Sequence, residues 1–285
     1  MPLRRALLNN PDDLSGALQL SRGYLEISRS TSDPRFVSYA EAVLARWMQQ
    51  PAPPAAVLVL KATALQSLHQ FDDALALLDR ALTLDPDNTQ AWLTKATLLQ
   101  VQGRFAEARR SCQPLLRTAD QLLALTCLLS VESLSGGLQR SYEALQRVAS
   151  TSAQRQPRAD AWVSGQLAEM AVRLADFAAA ERHFKLALQV APDDVYLRAA
   201  YADLLLTRGR HDDVIELLED SASHDVLLLR LAIAGRRANA AETERWITTF
   251  DARRRAVRPD DNPHLREHAR FLLDVVDRPA DALDV

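Results

Sequence analysis

Five residues near the end of the chain have types and spacing that could do chemistry: His264-Leu265-Arg266-Glu267-His268 reads H-x-x-E-H. On a helix the two histidines stand about one turn apart and can chelate a divalent metal, and the adjacent glutamate can act as general base. Such a site needs a third ligand. Downstream the chain offers only Asp274, Asp277, Asp281 and Asp284, with no further histidine or cysteine. Three fixed letters in five residues are a weak signal. The segment is therefore expected to be an ordinary solvated or groove-facing helix, and no catalytic residue, metal ligand or cofactor is assigned. A metal-dependent hydrolase or metal-binding protein using residues 264–268 stands as the alternative.

The remaining reactive side chains fall into no catalytic pattern. His69, His183, His211 and His224 share no spacing, and no Ser/His/Asp or Cys/His arrangement can be traced. Cys112 and Cys127 are too few for a disulfide framework, and both lie in apolar helical stretches, so buried free thiols are expected. Arg253-Arg254-Arg255 with Arg258 is the densest basic cluster; it falls in the last turn of an expected helix, where cations oppose the macrodipole. Asp72-Asp73 and Asp193-Asp194 read as helix caps.

Composition narrows the elements that could position these groups. Of 285 residues, 48% are hydrophobic and 25% charged, the balance of a folded protein. Only 8 are glycine, where average usage gives roughly 20. Glycine-rich phosphate loops and most all-β folds are thereby disfavoured. A net charge of −3 supplies no basic field for nucleic acid. No apolar run reaches the ~18 residues of a membrane span. The start, Met1-Pro2-Leu3-Arg4-Arg5, lacks a signal-peptide core, yet cytoplasm and periplasm (after removal of a signal peptide) both stay open. Cationic residues are nearly all arginine, with lysine only at Lys61, Lys95 and Lys185, a bias that points to a GC-rich bacterial genome.

The organising feature is a period. Lys61-Ala62-Thr63, Leu65-Gln66, Phe71 and Ala74 reappear 34 residues later as Lys95-Ala96-Thr97, Leu99-Gln100, Phe105 and Ala108. Ala62, Phe71, Ala74, Ala81 and Pro86 recur together at Ala168, Phe177, Ala180, Ala187 and Pro192, each 106 residues on. That distance is three periods plus four residues, so a degenerate unit turning at Gly136-Gly137 is expected between them, with the insertion in the polar loop Thr151–Pro157.

These residues resemble the tetratricopeptide repeat (TPR) family, whose 34-residue signature places small residues where two helices approach, an aromatic toward the next unit and a proline at the stop. The resemblance is strongest over 55–113 and 161–218. It implies an all-α, right-handed α-solenoid of about seven helix-turn-helix units, filling 1–285 as one array: 14–50, 55–88, 89–121, 122–156, 161–194, 195–223, 224–257 and a partial 263–285. The first pair is expected to turn through Ser28–Pro34, and Pro114 to end or kink a second helix early.

The resemblance also implies a non-enzymatic scaffold or adaptor that binds a protein or peptide partner along its concave first helices. Carried over residue by residue, that groove shows Ala56, Val59, Thr63 and Gln66, then Gln90, Leu93, Thr97 and Gln100. The degenerate unit adds Leu123, Thr126, Ser130 and Ser133. Trp162, Gly165, Glu169 and Arg173 follow, then Tyr196, Ala199, Asp203 and Leu206. The Lys and Asn clamp with which some members grip a terminal carboxylate is absent. Trp162 and Tyr196 are read as partner anchors or as inter-repeat packing, and Lys61 and Lys95 as side chains snorkelling at helix edges. Because the chain stops as its last helix begins, the apolar edge of Leu265, Ala269, Leu272, Leu273 and Val276 is expected to be covered by sequence beyond Val285 or by a second copy.

Overall fold

The computed structural model describes residues 2–31, 33, 35–151, 157–256 and 265–283. Among these there are helices and no strand. The chain divides into two compact units, residues 1–174 and 175–285.

Unit 1 opens with α1 (Pro2–Asn9), then runs through consecutive helix pairs: α2 (Leu14–Thr31) with α3 (Arg35–Met48), and α4 (Ala55–Ser67) with α5 (Phe71–Leu84). The next pair is α6 (Thr89–Val101) with α7 (Phe105–Cys112), extended by α8 (Leu115–Thr118); α9 (Gln121–Leu134) with α10 (Leu138–Thr151) and then α11 (Pro157–Arg173) complete the unit. Unit 2 holds α12 (Phe177–Val190), α13 (Val195–Thr207), α14 (His211–Leu218), a 3₁₀ turn at Glu219–Ser221, α15 (Asp225–Ala238), α16 (Thr243–Ala256), α17 (Leu265–Asp274) and α18 (Pro279–Ala282).

Local chemistry sets these boundaries. Asn88, Asp120, Asp176 and Asp194 cap their helices by accepting from the backbone N–H three residues on, at 2.9, 2.9, 3.0 and 3.1 Å. The helices α4, α6, α9, α13 and α15 all end the same way. A residue with φ between 54° and 100° (His69, Gly103, Gly136, Gly209, Asn239) turns the chain. The next N–H then reaches back five residues, Gln70 to Leu65, Arg104 to Leu99, Gly137 to Glu132, Arg210 to Leu205 and Ala240 to Gly235. This is the Schellman stop, which satisfies carbonyls left over at a helix end. Pro114, lacking an N–H, breaks the second helix of its pair into α7 and α8.

The first helices are apolar on several sides because neighbours flank them. Seven of the thirteen residues of α4 are buried, and α15 is buried without interruption from Leu227 to Gly235. In unit 1, Ala62, Ala74, Leu78, Ala96, Leu98, Ala108 and Leu115 form one continuous core that reaches Val131 on α9. In unit 2, Phe184 is buried and stacks on Tyr201, with ring centroids 5.6 Å apart.

Two sequence expectations are corrected. Cys112 and Cys127 are not free thiols; they form a disulfide between α7 and α9. Sequence spacing could not show it, because the helix turn and the Pro114 break bring their Cα atoms to 5.7 Å across 15 residues. The turn expected from Ser28 begins later, since α2 continues to Thr31. Ser30 and Thr31 each donate a hydroxyl to the Ile27 carbonyl, which lets polar residues stay in the helix. Ser32, Pro34, most of the Thr151–Pro157 insertion, Arg258, Pro263 and His264 lie outside the described residues.

Candidate partner-binding surface

In unit 1, Thr63, Gln66, Leu93 and Gln100 are half-buried and Thr97 is exposed, so α4 and α6 present them at the surface. The Thr63 and Thr97 hydroxyls each donate 3.0 Å to a carbonyl one turn back, Val59 and Leu93. Each hydroxyl keeps lone pairs that can accept from a further donor.

Thr126 and Ser130 do not reach that surface. They are 0% and 2% exposed, and the Thr126 hydroxyl donates 2.6 Å to Leu122. The repeat step is not uniform here. From the cap Asn88 to the cap Asp120 is 32 residues, whereas the turn residues Gly103 and Gly136 lie 33 apart. A face transferred by a fixed step rotates by about 100° for each residue of slip. On α9 the half-exposed residues are Leu123, Leu125, Leu128, Leu129 and Glu132.

Trp162 is half-buried against the core built by α4 to α9, so its indole serves packing. Glu169 is half-buried on the same helix, and its carbonyl accepts at 3.4 Å from Arg173 Nε. Arg173 also donates to the Ser133 carbonyl at 3.0 Å and to the Ser133 hydroxyl at 2.8 Å. A cation thus sits on the C-terminal end of α9, where the helix dipole favours it.

In unit 2, Tyr196 is 64% exposed. Asp203 is held between two arginines, its Oδ2 by Arg230 and its Oδ1 by Arg270 at 2.6 Å. Arg230 is 5% exposed and also donates to the Ala199 and Val226 carbonyls at 3.1 and 2.7 Å. Burial draws its pKa below the ordinary arginine value, with Asp203 opposing. Burial works against Arg270 too, but Asp203 and Asp274 outweigh it and raise its pKa. A buried guanidinium with each face of its fork occupied is what makes such a charge tolerable.

A node recurs at the seventh residue after the cap. Lys61 reaches Glu41 at 2.6 Å, Lys95 pairs with Asp79, and Tyr201 donates 3.0 Å to Glu181, in each case on the helix before. Cys127 holds the same position after Asp120, and there the link is covalent. Lys61 and Lys95 are therefore inter-repeat ties. Their 34-residue recurrence was the signal, and the carboxylates 20 and 16 residues upstream complete it.

Glu267 and His268 of the H-x-x-E-H segment are half-buried on α17. His268 Nε2 lies 2.6 Å from Arg254 Nη1, so it accepts and the ring is neutral with its proton on Nδ1. Burial first, and Arg254 second, lower its pKa. Among the described residues no three His, Cys, Asp or Glu side chains cluster as metal ligands. The basic run is internally paired, Arg253 with Asp225 at 2.9 Å, and Arg254 and Arg255 both with Asp251. No described helix is long and apolar enough to cross a membrane.

The tetratricopeptide repeat family model matches residues 65–125 and 171–227, the stretches where capped and Schellman-stopped pairs follow one another. Those two stretches are tetratricopeptide repeats. No curated protein matches it by sequence. Among solved structures, a chain of the APC/C hetero-tetramer Cut9–Hcn1 is similar over 99% of this protein at 15% identity, with a TM-score of 0.56. The present protein spans 51% of that chain's length, and the likeness is one of fold, an all-α solenoid. A tetratricopeptide repeat protein from Parabacteroides merdae aligns over 82% of this chain and 93% of its own, at 17% identity and a TM-score of 0.48.

Proposed function

We propose that this protein is a non-enzymatic scaffold that binds an extended segment of a protein partner on the first helices of unit 1. The observation that carries the reading is the surface of α4 and α6. There Thr63, Gln66, Thr97 and Gln100 recur at the 34-residue step as small polar groups, with Leu93 half-buried among them. The threonines accept from peptide N–H groups, and Leu93, with Leu125 and Leu129 of α9, supplies apolar contact. Repeat arrays of this kind act mainly as binding surfaces. In unit 2, Tyr196 is a separate candidate contact, since exposed tyrosines are enriched among interface hot spots. Asp203 is committed to Arg230 and Arg270 and holds the unit together.

Selection of a displayed random-peptide library on the intact protein tests this. Enriched peptides are expected to be uncharged to weakly charged, and to bind with shallow salt dependence because no exposed charge pair holds them. Thr97→Arg should abolish binding, while Arg80→Ala on α5 should leave it intact. Peptides that still bind Thr97→Arg, or that protect α5 and α10 from hydrogen exchange in place of α4 and α6, would place the site elsewhere.

A further inference from the structure

Every other tie at the seventh position after the cap is non-covalent, and the exception falls at the pair whose second helix is interrupted by a proline. The 89–121 pair has its second helix broken at Pro114 into α7, of 8 residues, and α8, of 4. A helix so short cannot hold itself and depends on what it packs against. Cys112 ends α7 immediately before the break, and Cys127 lies on α9, the helix that α7 must grip. Both are buried, at 0% and 2% exposure.

We propose that Cys112–Cys127 is a redox-dependent staple that substitutes for packing lost at the broken helix, and that this protein matures where thiols are oxidised. The bond forms by thiol–disulfide exchange with a disulfide-bearing oxidant. One cysteine thiolate attacks the oxidant's disulfide, giving a mixed disulfide, and the second thiolate then displaces the oxidant's thiol. Two protons and two electrons leave the cysteine pair, and the oxidant departs as a dithiol. Disulfides persist in oxidising compartments and are rare where glutathione keeps thiols reduced. Burial shields the sulfurs once the array has formed. Exchange in the folded protein must then wait for local opening of α7 and α8. Reduction loosens this one joint and leaves the other ties untouched, since those are ion pairs and hydrogen bonds.

The full chain, purified without reductant and alkylated under denaturing conditions, should take up no label, and its mass should be lower than that of the reduced chain by two hydrogens. Reduction should lower Tm by about 5–10 °C, the effect expected of a 15-residue cross-linked loop. Hydrogen exchange in the reduced form should rise in α7, α8 and the first half of α9, with α4 and α15 unchanged. Cys112→Ala/Cys127→Ala should melt like the reduced chain and ignore reductant. The reductant series on the unaltered protein gives the same answer should that variant fail to fold. Two alkylatable thiols in the air-exposed protein, a disulfide between two copies, or equal Tm and exchange in both redox states would each overturn the proposal.

Discussion

Glu181 shows how one side chain can serve as a joint. Its carboxylate accepts from Tyr201 at 3.0 Å and pairs with Arg210 and Lys185 at 2.6 and 2.8 Å. Lys185 first, then Arg210 and Tyr201, pull its pKa from 4.5 down to about 2 against the cost of burial. Burial and Glu181 together push the Tyr201 hydroxyl well up, so it remains a donor at every physiological pH. A folded-state pKa below the unfolded one means that the unfolded chain binds more protons on acidification. The stabilisation is complete above pH 4.5 and is lost as pH falls toward 2. Glu181→Gln should cost about 1 kcal/mol at pH 7, because partly exposed pairs are screened by solvent, and nothing measurable near pH 2. Urea titrations at the two pH values check this; an equal loss at both would mean that the charge is irrelevant. His69 is the converse case, a non-glycine residue at φ 58° in the position that Gly103 and Gly209 fill elsewhere. His69→Gly should raise stability by about 0.5 kcal/mol, the relief of the left-handed cost less the entropy that glycine adds to the unfolded chain.

At the scale of helices, close approach decides what each position tolerates. Gly235 ends the buried stretch of α15, and a Cβ built there would meet Thr243 Oγ1 at 2.7 Å and the Trp246 ring at 2.8 Å. Thr243 and Trp246 begin α16, so the glycine lets the two helices of the pair touch at their turn. Gly235→Ala should destabilise by about 1–3 kcal/mol through overpacking, read as a lower urea midpoint at unchanged m-value. Much of this level was legible in advance. The 34-residue step, the Asp194 cap and the effect of Pro114 are written in local residue types, whereas Asp72 and Asp73, expected as caps, sit inside the first turn of α5 behind Gln70. What stayed hidden needed lateral register. Thr126 and Ser130 were assigned to the surface by the 33-residue step between turn glycines, and the 32-residue step between caps put them inside. Cys127 gave no sign of its partner, because the packing of α9 on α7 that brings Cys112 beside it is a tertiary consequence. Trp162 could be anchor or filler by sequence, and its packing contact with the core becomes visible only in the fold.

At the scale of the whole chain, the two compact units and their repeat construction set how stability is distributed. In a repeat array each pair draws on its neighbours, so the molecule has no single core whose loss unfolds everything at once. Unit 1 depends on a run of fully buried small and large residues, Ala62, Leu78, Ala96 and Leu98 among them, shared between consecutive pairs. Unit 2 depends on α15, buried from Leu227 to Gly235, and on the Arg230–Asp203–Arg270 ties beside it. Leu98→Ala removes a side chain at 0% exposure and should cost about 2–5 kcal/mol where it is felt. Native-state hydrogen exchange should show that loss as raised opening of α4 to α9, with the amides of α15 keeping their protection. A globally cooperative protein would instead lose the same free energy at every core amide. Equal loss in α6 and α15 would therefore show that the two units unfold as one. Confinement of the loss to unit 1 would show that unit 2 keeps its fold independently.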